Sequence, residues 1–356
     1  MKVALITDTH FGVRGDNIAV LNHQQMFFDQ IFFPYLQQHN ISKVFHLGDL
    51  VDRRKFININ TAARMRSMFI DPLLAQYDTT IICGNHDTYY KDTNKVNSLD
   101  QLLSQGEQVK LGIHTGPATI EIDGKLILLL PWICADNYQL SRQSIENTNA
   151  TIVFGHLELS GFEMYRGSIC EEGAERSIFS KFDHVFSGHF HHKSKQDNIT
   201  YLGTPFQMTW ADFDDIKGFH VFDTDTEQLE FVANPFQLFQ KIVYDDQDTT
   251  MVQLLDIDTT RLSSTYVKVI IKNKTNPYWF DLFIDKLEKA NVIDVQVVDD
   301  HHNLIDQTDE QIFDQAEDVL TMLNNSISTI SASAANKKQA QILIRSLYNQ
   351  ALLNEA

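Results

Sequence analysis

The 356-residue chain reads as an α/β layered protein whose sheet is largely parallel at its start. Two observations predict this. Short runs rich in Val and Ile, nearly continuous in apolar character, recur through the first two-thirds, as strands covered on both faces require. Between the early runs lie longer stretches of helical period, and strands alternating with helices build layered α/β folds.

Strands are expected at 2–7, 43–47, 79–83, 125–130, 151–154, 184–187 and 200–202, and helices at 23–39 and 59–76. Pro34 and Pro72 fall inside the helical stretches, so a kink or break is expected at each, because proline lacks the amide proton that the helix needs. Met26, Phe27, Phe28, Phe32 and Phe33 read as core rather than as a surface for a second copy.

A second unit starts after about residue 235. It opens with a strand at 266–272. Asn276 and Pro277 then stand as N-cap and first helical residue of a helix to about 290, followed by a strand at 293–298. Thr308 and Gln311 have capping-box spacing for a further helix. Residues 326–335 (SISTISASAA) are small and polar, as a linker would be. In the last segment Ile344, Leu347, Tyr348, Ala351 and Leu352 repeat at helical steps on one face. That helix either packs on its own core or docks in a partner's groove. The expected organisation is therefore a core at 1–235, a cap at 236–325, a linker at 326–335 and a terminal helix at 336–356.

Composition narrows the setting. The N-terminal apolar run is too short for a signal peptide, and the longest apolar run, 126–135, holds Pro131 and is too short to span a bilayer. Three cysteines at irregular spacing do not make a disulfide framework. A soluble cytoplasmic protein without membrane contact is expected. The formal charge of −18 argues against this chain gripping DNA alone, since phosphate contacts use Lys and Arg. Bound divalent cations or a partner subunit would offset it.

Five short motifs follow predicted strands: Asp8-Thr-His10, Gly48-Asp49-Leu-Val-Asp52, Gly84-Asn85-His86-Asp87, Gly155-His156 and Gly188-His189-Phe-His191. Sites in α/β sheets form beyond the carboxyl ends of strands, and each motif sits at such an end. Singly each motif is weak, because Asp8 could cap a helix and Gly48-Asp49 could be a turn. Jointly they point to metal. Asp8, His10, Asp49, Asn85, His156, His189 and His191 offer four imidazoles, two carboxylates and one amide carbonyl. Mg²⁺ and Ca²⁺ favour all-oxygen shells, whereas Mn²⁺, Fe²⁺ and Zn²⁺ accept imidazole. Seven ligands exceed one ion and suit two with a shared carboxylate, an arrangement that clamps a phosphate and activates water. The other histidines lack such context; His46 and His192 read as neighbours of the motifs.

These motifs resemble the calcineurin-like metallophosphoesterase superfamily over roughly 1–235. The resemblance implies that Asp8, His10, Asp49 and His191 hold one ion, and that Asp49, Asn85, His156 and His189 hold the other, with Asp49 bridging. His86 is then the residue that protonates the leaving oxygen or stabilises developing charge. The segment Tyr201-Leu-Gly-Thr-Pro-Phe-Gln207, with Lys217-Gly218-Phe219 after it, is similar to the DNA-repair nuclease branch, which includes the nuclease subunits of bacterial SbcCD complexes and of T-even phages. That similarity implies a Mn²⁺-dependent exonuclease and endonuclease of DNA acting in recombination and repair. It also implies a DNA-recognising cap, an SMC-like ATPase partner bound through the terminal helix, and a homodimer within a heterotetramer.

One departure concerns Asp52, where many cellular relatives have His. An Asp there resembles protein phosphatases, so Asp52 is expected to accept a hydrogen bond from His86 and fix its tautomer. Arg53, also phosphatase-like in position, is expected either to contact a phosphate oxygen or to lie in a solvated run with Arg54 and Lys55. A phosphomonoesterase or nucleotide phosphodiesterase would need the same metals. The segment after Gly203, the cap and the tail favour the nuclease.

Overall fold

The computed structural model describes residues 1–103, 111–165 and 167–299. The helix expected to open at Thr308, the linker and the terminal helix lie outside the described residues.

In chain order the strands are β1 (Lys2–Ile6), β2 (Lys43–His46), β3 (Asp78–Ile82), β4 (Leu111–His114), β5 (Ala118–Ile122), β6 (Lys125–Leu130), β7 (Ile152–His156), β8 (Glu163–Tyr165), β9 (Ser168–Ile169), β10 (His184–Gly188), β11 (Ser194–Gln196), β12 (Ile199–Tyr201), β13 (Gly218–Asp223), β14 (Gln228–Ala233), β15 (Phe239–Asp245), β16 (Tyr266–Asn273) and β17 (Asp294–Asp299). They form two six-stranded sheets, ordered β14-β13-β1-β2-β3-β4 and β11-β12-β10-β7-β6-β5, plus a three-stranded sheet β15-β16-β17 and the hairpin β8-β9. The α/β expectation holds, and the parallel start is real: β1, β2, β3 and β4 pair in parallel. A second set, β6, β7, β10 and β12, does the same.

The period of two in a strand builds the layers. Along β1, Val3 and Leu5, with Phe45 of the neighbouring β2, enter a core shared with Ile127, Phe154 and Phe186 of the facing sheet. Ala4 and Ile6 point the other way, into a core made with the helical layer. Both faces of both sheets are thus covered, which explains the continuous apolar runs.

The two proline-bearing helices do not break. Ile18–Phe27 continues through a π-helical turn, Phe28–Phe32, into Phe33–Gln38, and Ile59–Met65 through Arg66–Ile70 into Asp71–Gln76. The wider turn before each proline re-routes the bonds that the missing amide would have made. Phe27, Phe28, Phe32 and Phe33 are buried and pack on Phe69, Phe206 and Phe219, so they are core.

The third sheet has its own apolar cluster. Tyr244, Val267 and Val269 pack against Phe280, Phe283 and Leu287 of the helix Pro277–Glu288, which Asn276 caps by accepting from the amides of Tyr278 and Trp279. Its near end joins the main core through Leu238, Phe239 and Tyr266.

Two buried histidines make the fold acid-sensitive away from the motifs. Burial lowers His23 to about 4 and His220 to about 3, both below an unfolded value of about 6.5. The unfolded chain therefore takes up these protons first as pH falls. Stability is full above the unfolded value and declines through the window below it. At pH 5 each group is expected to cost about 2 kcal/mol relative to pH 7. Thermal unfolding of His220→Phe should show a visibly smaller drop in Tm between pH 7 and pH 5 than the parent chain does.

Candidate metal centre

The five motifs converge because the carboxyl ends of both parallel sets meet. Asp8, Asp49 and Asn85 follow the neighbouring strands β1, β2 and β3, while His156 ends β7 and His189 follows its neighbour β10. The sheets pinch together here, and the glycines permit it. Gly48 has φ of +96°, and a Cβ on it would lie 2.8 Å from Gly84 Cα. Gly188 and Gly84 lack a positive φ; their role is close approach. A Cβ on Gly188 would run into Thr7 Oγ1 and come within 2.8 Å of Asp8 Oδ2. Gly188→Ala is therefore expected to reduce divalent-metal binding at least tenfold, read by calorimetric titration, because the methyl would displace the Asp8 carboxylate and also meet Leu47 O at 2.8 Å, where backbone cannot yield.

Several of the motif residues are held in left-handed backbone, which non-glycine residues rarely adopt: Asp8 (φ 53°), His10 (42°), Asp49 (56°) and His189 (87°). Amides that would otherwise be stranded are caught. Asp8 N donates to Gly48 O, and His10 N to Asp49 O. His189 N donates to Asp8 Oδ2 at 3.0 Å.

Polar atoms inside the cleft face one another without donors to match. His156 Nδ1 lies 2.7 Å from Leu47 O; a carbonyl only accepts, so Nδ1 carries the proton and Nε2 presents a lone pair. That lone pair points to Asn85 Oδ1 at 2.9 Å and Asp49 Oδ2 at 3.3 Å. His189 Nδ1 is also 2.9 Å from Asn85 Oδ1. His10 Nε2 and the Nδ1 of His191 are buried without a hydrogen-bond partner, and His10 Nδ1 has the Asp52 carboxylate beside it at 3.3 Å. Three groups have ligand atoms close enough to share a cation: Asp8, His10 and His191; Asp49, His156 and His189; and His10, Asp49 and His86. A crowd of acceptors and orphaned imidazole nitrogens is what a cation relieves, so these residues fit divalent metal.

Protons distribute unevenly over this set. Burial opposes charge on His10, but the Asp52, Asp8 and Asp49 carboxylates overcome it and hold its pKa well above the usual value. Burial is likewise outweighed at His156, which Asp49 raises to about 9; its Nε2 faces Asp49 with either a second proton or a cation, and the lone pair serves a metal once that proton leaves. Burial and the neighbouring His156 push His189 down to about 3.

The structure corrects one contact. Asp52 does not take a hydrogen bond from His86 through its carboxylate. His86 Nδ1 lies 2.5 Å from the Asp52 backbone carbonyl, whereas Asp52 Oδ1 sits 3.3 Å from His10 Nδ1. The chain turns after Val51 so that the peptide oxygen faces His86 and the side chain faces His10. Arg53 is not in the cleft wall. It pairs with Asp16 at 2.9 Å and lies over Phe56, so it is held in a defined contact rather than in a simple solvated run.

Two features escaped the sequence reading. Asp87 is fully buried and accepts from the amides of Asp49, Leu50 and Gly84 at 2.9 Å each, stapling the second and third motifs together. Its signal was present, since it adjoins Asn85 and His86. The cleft, about 450 Å³, is also lined by Glu158, Glu171 and Glu172 beside Tyr165 and Met208. Those glutamates had no sequence signature. His46, by contrast, lies behind the site, bonded to Thr9 Oγ1 at 3.0 Å.

With the geometry in place, family comparison is decisive: residues 1–193 match the calcineurin-like phosphoesterase model. The chain belongs to the calcineurin-like phosphoesterases. Among relatives of this phosphoesterase, exonuclease subunit 1 of Enterobacteria phage T4 is 30% identical over 346 residues, covering 96% of each chain. The SbcD subunit of the nuclease SbcCD from Staphylococcus epidermidis is 23% identical over 323 residues, 79% of each. Members of this family use divalent metals, in keeping with the donor set above. No helix among the described residues is long and apolar enough to cross a membrane.

Proposed function

We propose that this phosphoesterase is the nuclease subunit of a DNA-processing complex, cleaving phosphodiesters with two Mn²⁺ ions. The observation that carries the reading is the convergence of seven donor side chains from five strand ends on one cleft, with imidazole nitrogens left unpartnered. Asp8, His10, Asp49 and His191 would hold one ion, and Asp49, Asn85, His156 and His189 the other. Ions so held would clamp the phosphate and make an attacking water acidic.

The chain's own residues do the rest. His86 is tethered through Nδ1–H to the Asp52 carbonyl, so the imidazolium form presents Nε2–H to the leaving oxygen, gives it that proton and returns to the neutral ring. Asp52 steadies His10 rather than His86. His86 N donates to Asp49 Oδ1 at 2.7 Å, so the acid and the shared carboxylate move as one piece.

DNA as substrate is supported by the two relatives, both named as nuclease subunits. Their naming as subunits also supports a partner, here an SMC-like ATPase engaged through residues 336–356, with a homodimer inside a heterotetramer. We take 1–235 as the catalytic domain and 236–325 as a DNA-recognising cap. The net charge of −18 and the glutamates of the cleft wall favour a division of labour in which the partner grips the duplex.

The test places purified protein and Mn²⁺ with end-labelled double- and single-stranded DNA, beside a small chromogenic phosphomonoester. Shortening of the DNA is expected. Phosphate release from the small ester with intact DNA would overturn the reading in favour of a phosphomonoesterase.

A further inference from the structure

Behind the metal motifs lies a buried ionic cluster to which nothing so far assigns a role. Lys217 is 4% exposed. Its ammonium reaches Asp212 Oδ1 at 2.6 Å and Asp215 Oδ2 at 2.9 Å, and it donates to the backbone carbonyl of His191 at 2.9 Å. An ammonium has three protons, and each has a partner here.

Two connections run outward from this lysine. On the metal side, the His191 carbonyl also accepts from Thr204 N at 3.2 Å, and His191 N donates to Met164 O at 3.1 Å. On the other side, Asp212 Oδ2 gathers the amides of Met208 and Thr209 at 2.9 and 3.0 Å, and both residues line the cleft. The Asp212 carbonyl takes a bond from Gln207 Nε2 at 2.8 Å. Gln207 Oε1 in turn accepts from Leu238 N and Phe239 N at 2.8 and 3.1 Å, where β15 begins the C-terminal sheet. A continuous polar path thus runs from that sheet to His191.

We propose that Lys217 is a positioning residue for the metal centre, fixing the His191 backbone and tying it through Asp212 and Gln207 to the C-terminal sheet. The proposal rests on the two-metal reading. Surface lysines do not need three fixed partners, and a buried charge of this kind is costly unless the geometry it holds is worth keeping. Among the metal-side residues only His191 is reached by this ammonium. Its loss should therefore weaken the ion held with Asp8 and His10 more than the one held by Asn85, His156 and His189.

The test is Mn²⁺ titration, followed by calorimetry and by electron paramagnetic resonance, on the full chain. In the parent, two ions giving a spin-coupled spectrum are expected; fewer than two would overturn the metal reading and this proposal with it. Lys217→Met combined with Asp212→Asn removes the closest-paired charge of each sign; Asp215 keeps His192 as its partner, and the asparagine oxygen can still accept the Met208 and Thr209 amides. Such a variant should keep its circular dichroism, lose affinity about 10–100-fold for one ion only, and show an isolated-ion spectrum at the remaining site. Two ions bound with parental affinity and coupling would overturn the proposal, as would equal weakening of both in a folded protein. Should the double variant not fold, Lys217→Arg, whose planar fork keeps the charge but cannot reproduce the ammonium's three contacts, decides by the same readings: selective weakening of one ion supports the role, and unchanged or uniform binding overturns it.

Discussion

Replacing His86 by Ser is expected to lower DNA cleavage by about 10²–10⁴-fold, the usual cost of a lost acid or base, while Mn²⁺ binding persists. His86 stands half-buried at the cleft wall, with one ring nitrogen committed to the Asp52 carbonyl. That tether removes rotational freedom and leaves Nε2 as the nitrogen that would face a phosphate in the cleft. Its backbone amide, which holds Asp49 Oδ1, survives the substitution. The shared carboxylate therefore keeps its place, and only proton transfer is lost. The competing outcome is concrete, because His86 also lies within sharing distance of His10 and Asp49. If calorimetry finds one ion fewer in His86→Ser, then His86 is a ligand and the acid must be sought elsewhere.

Asp87→Asn is expected to destabilise the fold by about 3 kcal/mol or more and to weaken both metal sites together. The Asp87 carboxylate accepts three backbone amides at 2.9 Å, from Asp49, Leu50 and Gly84, with Val51 N at 3.3 Å. Hydrogen bonds to a charged group contribute roughly 1.5–3 kcal/mol each, and a stranded buried donor costs about 1–3 kcal/mol. Asparagine keeps one acceptor oxygen and turns an NH₂ toward amides that also donate, so at least one bond becomes a clash of donors. Burial and the nearby Asp49 charge raise Asp87 to about 7, against the pull of those amides, so the full effect is expected above that pH, where the carboxylate is charged. Because Asp87 joins the loop bearing Asp49 to the loop bearing Asn85 and His86, its loss should be felt at both ions. Urea unfolding and Mn²⁺ titration read the two effects separately. Parental stability with parental affinity would show that the staple is dispensable.

Asp87 and Lys217 differ in reach. Loss of Asp87 should affect both ions and the fold, whereas loss of Lys217 should affect the ion beside His191. Two buried charges near one site thus have distinguishable signatures.

The sequence by itself determined the strand ends and the order of the motifs that carry the candidate donors. These are local: an apolar run, a turn and one polar side chain are all read within ten residues, and both covered faces of β1 and β7 reveal themselves as continuous apolar runs. Strands with weaker patterns were illegible. β5 and β14 lie at sheet edges and are only half-covered, so their apolar signal is diluted. That two parallel sets stack face to face, rather than forming one sheet, was also decided by tertiary structure, since stacking depends on how faces pair and not on any period along the chain. The same holds for the partners of the site. Asp52 faces His10, Arg53 turns to Asp16, Asp87 gathers amides from a loop more than thirty residues earlier, and Lys217 meets His191 across 26 positions. Each of those contacts requires two distant segments to be packed within hydrogen-bonding reach, and only the folded chain brings them there.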